Sequence, residues 1–224
     1  MDTAAAATPL LNQQDFEDMN REMHEQDEMR EKIIKRSREI LKSSKQAIFA
    51  LHRSDRTEAS KLLANAEKVI PELVELTEQN PSLRDGALSS SLEEYAEAKC
   101  FFHYLDTRCL LPRRDVPILK KNEYLGGVID FTGELMRLAV VKATSRDVQE
   151  VERCKAMVEA ISGELIQFDF RNGPLRRKFD SVKYNLRKLE NTLYELSLVT
   201  NSGLALQAHS VQEAPAASTH TDDE

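Results

Sequence analysis

Two short segments carry acidic side chains at spacings that place them on one face of a helix. Glu94 and Glu97 lie three residues apart, and Asp130 and Glu134 lie four residues apart in an otherwise apolar stretch. Two carboxylates on one helical face repel each other, and burying them without a partner costs much more. If the two helices met, Mg²⁺ could neutralise both pairs, because this ion prefers oxygen ligands. The spacing therefore predicts a magnesium site built from these four residues.

The stretch around Asp130 predicts a buried helix. Residues 125–141 are apolar on nearly every side, so no stripe is left to face water. Three glycines interrupt this helix, namely Gly126, Gly127 and Gly133. Each costs roughly 1 kcal/mol relative to alanine in a helix, which indicates the close approach of a neighbouring backbone or a ligand. In such a setting a functional role explains the acidic pair better than solvation does.

The composition is typical of a charge-rich helical protein. The 224 residues include 41% hydrophobic and 31% charged residues, no Trp, and only 7 Gly and 7 Pro. This length is enough for one domain with a substantial core. The formal net charge of −7 argues against wrapping duplex DNA, although a local basic strip is compatible with it. The three scattered cysteines indicate a reducing compartment without a zinc site, and no apolar run is long enough to span a membrane.

Helical periodicity accounts for most of the chain, and no segment alternates as a strand should. The predicted helices cover residues 14–54, 57–79, 87–111, 122–144, 145–170 and 174–198. Pro71 should kink or divide the second helix, and the fifth should turn Phe168 towards the core. The sequence therefore predicts an all-α antiparallel bundle of six to seven helices. This domain covers residues 14–200, between a disordered N-terminus (1–13) and a disordered tail (201–224).

Basic side chains in two places are candidates for contacts with nucleic-acid phosphates. Arg137 follows Glu134 by three residues, so it could either pair with that carboxylate or approach a phosphate. Arg176, Arg177 and Lys178 lie in the first turn of the predicted sixth helix. A solvated first turn explains these three residues as well as RNA binding does.

Six short motifs occur in an order and spacing that are more specific than any one of them alone. They occupy residues 37–40, 48–53, 94–98, 127–138, 178–184 and 194–196. Together, over residues 30–200, they strongly resemble the translin family, in particular its translin-associated factor X branch. The resemblance implies a bundle of about seven α-helices, which agrees with the periodicity if the second helix counts as two.

The resemblance also implies a function. It implies a partner, translin, and a closed hetero-octameric barrel that encloses RNA, with single-stranded DNA as an alternative ligand. It implies a Mg²⁺-dependent endoribonuclease, with Mn²⁺ as an alternative ion, that cuts single-stranded and nicked RNA. The implied roles are removal of the passenger strand in RNA silencing and processing of tRNA fragments. The acidic catalytic residues of the family match Glu94, Glu97, Asp130 and Glu134 one by one, so the chain resembles the catalytic subunit.

Two other functions compete with this interpretation. A di-iron carboxylate bundle uses Glu-x-x-His pairs, and no histidine here has a glutamate three residues before it. A non-catalytic subunit that stabilises translin and binds nucleic acid is a stronger alternative, and the intact set of four acids is the feature that discriminates against it. Taken alone, Glu94 and Glu97 would suit a solvated helix face. Three aromatic residues, Phe101, Phe102 and Tyr104, could stack on bases, although core packing explains them better.

The chain also departs from the animal members of the family. Its linker over residues 110–121 is short where those relatives carry a longer insertion. It has no obvious bipartite basic targeting signal. We therefore expect a cytoplasmic protein, with the nucleus as a second location.

Overall fold

The computed structural model describes residues 10–78 and 80–201. Its helices are α1 (Gln13–His52), α2 (Arg56–Leu76), α3 (Ala87–Thr107), α4 (Lys121–Thr144), α5 (Val148–Ile166) and α6 (Pro174–Asn201). Two 3₁₀ turns, Pro81–Arg84 and Arg113–Asp115, lie before and after α3. No strand occurs within the described ranges. The prediction of an all-α fold is confirmed, whereas most of the predicted disorder at the two termini lies outside the described residues.

Polar caps mark the starts of some helices, and left-handed residues follow the ends of α1, α3 and α4. The side chains of Asp55 and Asp147 accept hydrogen bonds from backbone N–H groups in the first turns of α2 and α5. Helix α3 ends at Thr107, four residues before the predicted end. Arg108 there adopts a φ of 60°, and its N–H donates to the Tyr104 carbonyl, which closes the helix.

The α5–α6 connection differs from its prediction. Helix α5 ends at Ile166 rather than near residue 170. Phe168 lies beyond this end and is 45% exposed, so the prediction that it faces the core was wrong. The helical period that suggested an inward side chain does not apply once the helix has stopped.

Pro71 lies inside α2 without dividing it. A proline in a helix removes the donor to the carbonyl four residues earlier, which here belongs to Glu67. Both residues are exposed, so water can hydrogen-bond that carbonyl. The predicted division into two helices is therefore wrong, and the bundle has six α-helices in the described part of the chain.

Helices α3 and α4 form the centre of the bundle. Helix α3 packs on α1, α2 and α4, and α4 packs on α3, α5 and α6. Their contact surface buries the rings of Phe101, Tyr104 and Phe131. No helix of the described ranges is long and apolar enough to cross a bilayer.

Glycine permits the close contact of α3 and α4. A Cβ at Gly127 would lie 2.4 Å from the Cβ of Ala96 and 2.7 Å from the backbone oxygen of Glu93, which is closer than real contacts allow. A Cβ at Gly126 would meet the Glu93 side chain at 2.7 Å. At Gly133 it would make only an ordinary contact at 3.7 Å. The predicted close approach of a neighbouring backbone is therefore found at Gly127, whereas Gly126 lies against a side chain and Gly133 has ordinary space.

A buried ion pair joins the loop before α3 to the start of α4. Arg84 donates from Nε and Nη2 to the two oxygens of Glu123, each at 2.7 Å, and from Nη2 to the Ile118 carbonyl at 2.8 Å. The backbone N–H of Lys120 also donates to Glu123 at 2.7 Å. The two side chains are only 7% and 2% exposed. Every charge is matched here, so the pair fixes the entry of α4.

Candidate metal and nucleic-acid site

Four helices contribute charged side chains to one site at the α3–α4 contact. The contributors are Lys45 and His52 of α1, Glu93, Glu94 and Glu97 of α3, Asp130 and Glu134 of α4, and Lys178 of α6. The four predicted metal ligands are therefore brought into electrostatic range of one another. Their role as ligands stays a prediction.

Glu97 is the least satisfied of these acids. It is only 8% exposed, and its carboxyl has no hydrogen-bond or ion-pair partner among the described residues. Burial and then the negative charges of Glu94, Asp130 and Glu134 raise its pKa to about 9, against a weaker opposing effect of Lys178. Glu97 therefore keeps its proton at neutral pH, next to the acidic side chains of Glu94, Asp130 and Glu134.

Lys178 bridges the acids of α3 and α4. Its Nζ donates to Oε2 of Glu93 at 2.6 Å and also to Oδ2 of Asp130. Burial lowers the pKa of Lys178, but the hydrogen bonds to Asp130 and Glu93 outweigh this effect and raise it overall. The sequence placed Lys178 among solvent-facing candidates for RNA contacts, whereas the structure places it inside the acidic site.

His52 holds the second acid of α4. Its Nε2 shares a hydrogen bond with Oε2 of Glu134, and its ring packs 4.7 Å from the ring of Phe101. Arg137 approaches the same Glu134 oxygen at 3.7 Å, which is a long ion pair on a half-exposed side chain. Of the two alternatives for Arg137, the structure shows the contact with Glu134, though in a weak form.

Glu94 lies at the mouth of the site. Its nearest cation is Lys45, whose Nζ is 3.8 Å from Oε2. Burial raises the pKa of the Glu94 carboxyl, and the charges of Asp130 and Glu134 add to this, against opposing effects of Lys45 and Lys178. A carboxylate on a fully solvated helix face would not experience this desolvation, so the solvated-face reading of Glu94 does not describe its environment.

The four carboxylates are suitable ligands for a hard divalent cation, but their side chains do not converge on one point. Within the described ranges, no three Asp, Glu, His or Cys side chains lie close enough together to form a finished metal site. Lys178 contacts Asp130 instead, and His52 contacts one oxygen of Glu134. All the donors are nevertheless carboxylate oxygens, which Mg²⁺ prefers, and the buried Glu97 lacks a compensating charge. A cation could supply that charge if it replaced Lys178 at Asp130.

The remaining basic candidates lie on α6. Arg176 donates to Asp180 at 2.9 Å and lies 5.8 Å from the ring of Phe179. Arg177 is exposed. Their contact with RNA stays a prediction.

Sequence reasoning missed three residues of the site, Lys45, Glu93 and His52, and a local signal was available for the last two. Glu93 lies four residues before Glu97 and therefore shares its helical face, a spacing that was available in the sequence. His52 follows Ile48 by four residues, and Ile48 belongs to the buried face of α1, so the same periodicity could have placed it inward. Its partner Glu134 could not be inferred, because the two residues are 82 positions apart.

Comparisons with known sequences agree on one family. Residues 28–199 match the sequence model of the Translin family. Translin-associated protein X of Mus musculus is 26% identical to the chain over 226 residues, covering 82% of this chain and 77% of the mouse protein. The Schizosaccharomyces pombe homologue of that protein is 27% identical and covers 77% of this chain and 82% of its own. Translin of Homo sapiens is 28% identical but covers only 44% of this chain and 49% of its own.

Solved structures share the fold. The crystal structure of apo-NeC3PO superposes with a TM-score of 0.74 and 23% identity, covering 85% of this chain and 100% of its own. A chain of the AfC3PO–duplex RNA complex superposes with a TM-score of 0.72 and 21% identity, covering 82% of this chain and 97% of its own. At these identities the likeness establishes the fold alone.

Proposed function

The chain belongs to the translin family, and on this premise we propose that it is the catalytic subunit of a complex with translin. The activity we propose is a Mg²⁺-dependent endoribonuclease that cleaves single-stranded or nicked RNA. The similarity to Translin-associated protein X extends over most of the chain, whereas the similarity to Translin itself covers less than half. This difference favours the X-type subunit. A neighbour in fold was solved as a complex with duplex RNA.

The observation that carries the proposal is the unpartnered buried acid Glu97. A globular protein seldom buries an ionised carboxylate without a partner, because its desolvation costs several kcal/mol, and Glu97 avoids this cost by keeping its proton at neutral pH. Here the neighbours Glu94, Asp130 and Glu134 add further negative charge. Such a site would repel a phosphodiester on its own account. A divalent cation removes both difficulties.

Glu94, Glu97, Asp130 and Glu134 would hold the ion, with Mn²⁺ as an alternative to Mg²⁺. When bound, the ion would neutralise negative charge on the scissile phosphate and lower the pKa of a water molecule. His52, through its hydrogen bond, fixes the orientation of the Glu134 carboxylate.

Exposed apolar side chains in the N-terminal half of α1 support the presence of a partner subunit. Phe16, Met19 and Met23 recur at helical spacing and are exposed, whereas the buried residues of α1 begin at Ile33. A soluble protein rarely leaves such a face uncovered. We assign it to contacts with translin in a closed hetero-oligomeric barrel, the architecture implied by the family.

RNA is the proposed substrate, and single-stranded DNA is an alternative ligand. Arg137, Arg176 and Arg177 are the proposed contacts with the sugar–phosphate backbone. The cellular roles that follow from the family are passenger-strand removal and tRNA fragment processing, in the cytoplasm and with the nucleus as a second location.

One observation favours a different function. The four carboxylates are not gathered into a finished metal site in the described part of the chain, and Lys178 pairs with one of them, Asp130, as well as with Glu93. A subunit that stabilises translin and binds nucleic acid without cutting it would need no metal. Under this alternative Lys178 would be a permanent structural bridge.

The experiment compares cleavage of a labelled single-stranded RNA by the co-purified translin complex with Mg²⁺ and with a chelator. We expect cleavage with Mg²⁺ alone. Asp130→Ala and Glu97→Gln should each reduce the initial rate by at least ~100-fold, since loss of mere supporting residues around metals costs 10–100-fold.

Glu75→Gln is the matched control, because Glu75 is an exposed acid on α2. It should leave the cleavage rate unchanged, and all variants should assemble normally by mass measurement. Absence of cleavage with Mg²⁺, or normal cleavage by the assembled Asp130→Ala complex, would support the non-catalytic alternative instead. Cleavage that persists in the chelator would contradict the proposed Mg²⁺ dependence.

A further inference from the structure

A cavity of about 840 Å³ adjoins the acidic site. Glu93, Asp130 and Lys178 line one part of it, and the α5–α6 connection lines another. This volume falls in the range of small-ligand pockets in proteins. The proposed metal ligands use only one part of this space, and nothing in the mechanism above occupies the remainder.

An exposed aromatic ring is the principal apolar feature of that remainder. Phe168 stacks on Phe170 with ring centroids 5.5 Å apart and an interplanar angle of 12°. Phe170 in turn packs 5.5 Å from Phe179, which is buried in the bundle. The ring of Phe168 is thus supported by the core, yet it stays 45% exposed. A flat, supported and accessible ring is the kind of surface on which an unpaired base stacks.

Polar side chains without partners lie around the same cavity. Ser89, Asn122, Lys121 and Arg171 line it, and none of these four side chains makes a hydrogen bond or ion pair with another described residue. A hydroxyl and an amide can match the edge of a base, and the two cations can match a phosphate. The cavity therefore offers an aromatic ring for the face of a base, polar groups for its edge and cations for a phosphate.

We propose that this cavity binds one unpaired nucleotide of the RNA next to the scissile phosphate, with its base stacked on Phe168. The inference rests on the proposed function, because it takes the acidic site as the place of cleavage. It explains a requirement for unpaired RNA, since a base within a duplex cannot leave its own stack to lie on a side chain at no cost. Phe168 would act as a specificity-determining residue.

The test measures binding of single-stranded RNA to the co-purified translin complex in the presence of a chelator, so that cleavage plays no part. Phe168→Ala should weaken binding about 5- to 100-fold, the range expected for loss of one stacked base. Phe168→Leu keeps the apolar bulk and should weaken binding similarly, whereas Phe168→Trp should retain it. Phe49→Ala is the matched control, because Phe49 is an exposed ring of α1 that does not line the cavity.

A second substitution is made in the RNA, where each position in turn is replaced by an abasic nucleotide. One position should cost the wild-type complex the same factor as Phe168→Ala, with no further loss when the two changes are combined. The idea is overturned if Phe168→Ala and Phe168→Leu bind like Phe49→Ala, or if the abasic losses add fully. Because no cleavage is measured, failure of the nuclease proposal would appear separately, in the Mg²⁺ assay described above.

Discussion

Two buried acids of the same molecule have opposite surroundings. Glu123, at the start of α4, receives two hydrogen bonds from Arg84 and one from a backbone N–H. Glu97, on the facing helix, has burial of a similar order but no partner among the described residues, and three other acids surround it. The fold can therefore pair a buried carboxylate fully where the pair supports the structure.

The contrast shows what an unmatched acid means in this protein. A complete buried ion pair helps to position helices, whereas a buried acid without a partner lowers the free energy of unfolding. Glu97 has no such partner, although Lys178 of α6 pairs with the neighbouring acids Glu93 and Asp130. We infer that the missing charge comes from outside the chain.

The largest expected effect is a difference in the free energy of unfolding between variants at the two acids. Arg84→Met should lower the free energy of unfolding by about 3–5 kcal/mol, because Glu123 would remain buried without its partner. Glu97→Gln, in metal-free protein, should leave the free energy of unfolding unchanged or raise it, because an unpaired carboxyl is removed. Urea unfolding followed by circular dichroism measures both.

The double variant Arg84→Met with Glu123→Leu is the control for this comparison. It should recover most of the loss, since replacing both members of a buried pair by apolar groups is often tolerated. If Glu97→Gln proved as destabilising as Arg84→Met, Glu97 would be as well satisfied as Glu123, and the contrast would disappear.

A smaller effect concerns the glycines that bring the acids together. Gly127→Ala should lower the free energy of unfolding by about 1–3 kcal/mol, because its Cβ would overlap Ala96 and the α3 backbone. Gly133→Ala has ordinary space and should be neutral or stabilising by up to about 1 kcal/mol. Thermal unfolding of the two variants checks the order. Equal effects would mean that the α3–α4 distance does not depend on Gly127.

The last effect, which is small over any one pH unit, is a pH dependence of the free energy of unfolding. The pKa of Glu97 in the folded protein, about 9, lies above that of an unfolded glutamate, so the folded state binds more protons. Stability of the metal-free protein should therefore be complete below the unfolded pKa, near 4.3. It should then fall as pH rises towards 9, by at most about 1.4 kcal/mol per pH unit.

Two comparisons sharpen that pH prediction. Glu97→Gln should flatten the fall, because the titrating group is absent. Mg²⁺ should stabilise the wild type more at high pH than at low pH, because the ion competes with the proton. A pH profile identical in wild type and Glu97→Gln would show that another group titrates.

Much of the fold and part of the site could be predicted because their signals are local. Helical periodicity gave α1, α4 and α6 nearly to the residue, and the spacing of Glu94, Glu97, Asp130 and Glu134 indicated shared helix faces. The glycines of α4 indicated a close neighbour, which Gly126 and Gly127 have. Each of these inferences needs only the period of one helix.

The rest depends on which helices meet. Lys178 lies 48 positions from Asp130 and 85 from Glu93, so its place between them follows from the packing of α6 on α4. The exposure of Phe168 follows from the early end of α5, and helix ends are poorly marked in a sequence without a strong stop signal. A lysine in a first turn and a phenylalanine in a helical register are each ambiguous until the tertiary contacts are known.

The most direct test of the account is calorimetric titration of Mg²⁺ into the metal-free translin complex near neutral pH, in two buffers with different ionisation enthalpies. We expect saturable binding with proton release, because Glu97 must lose its proton to accept a cation, and loss of this binding in Asp130→Ala and Glu97→Gln but not in Glu75→Gln. Absence of saturable binding, or equal binding by assembled Asp130→Ala complex, would contradict the account.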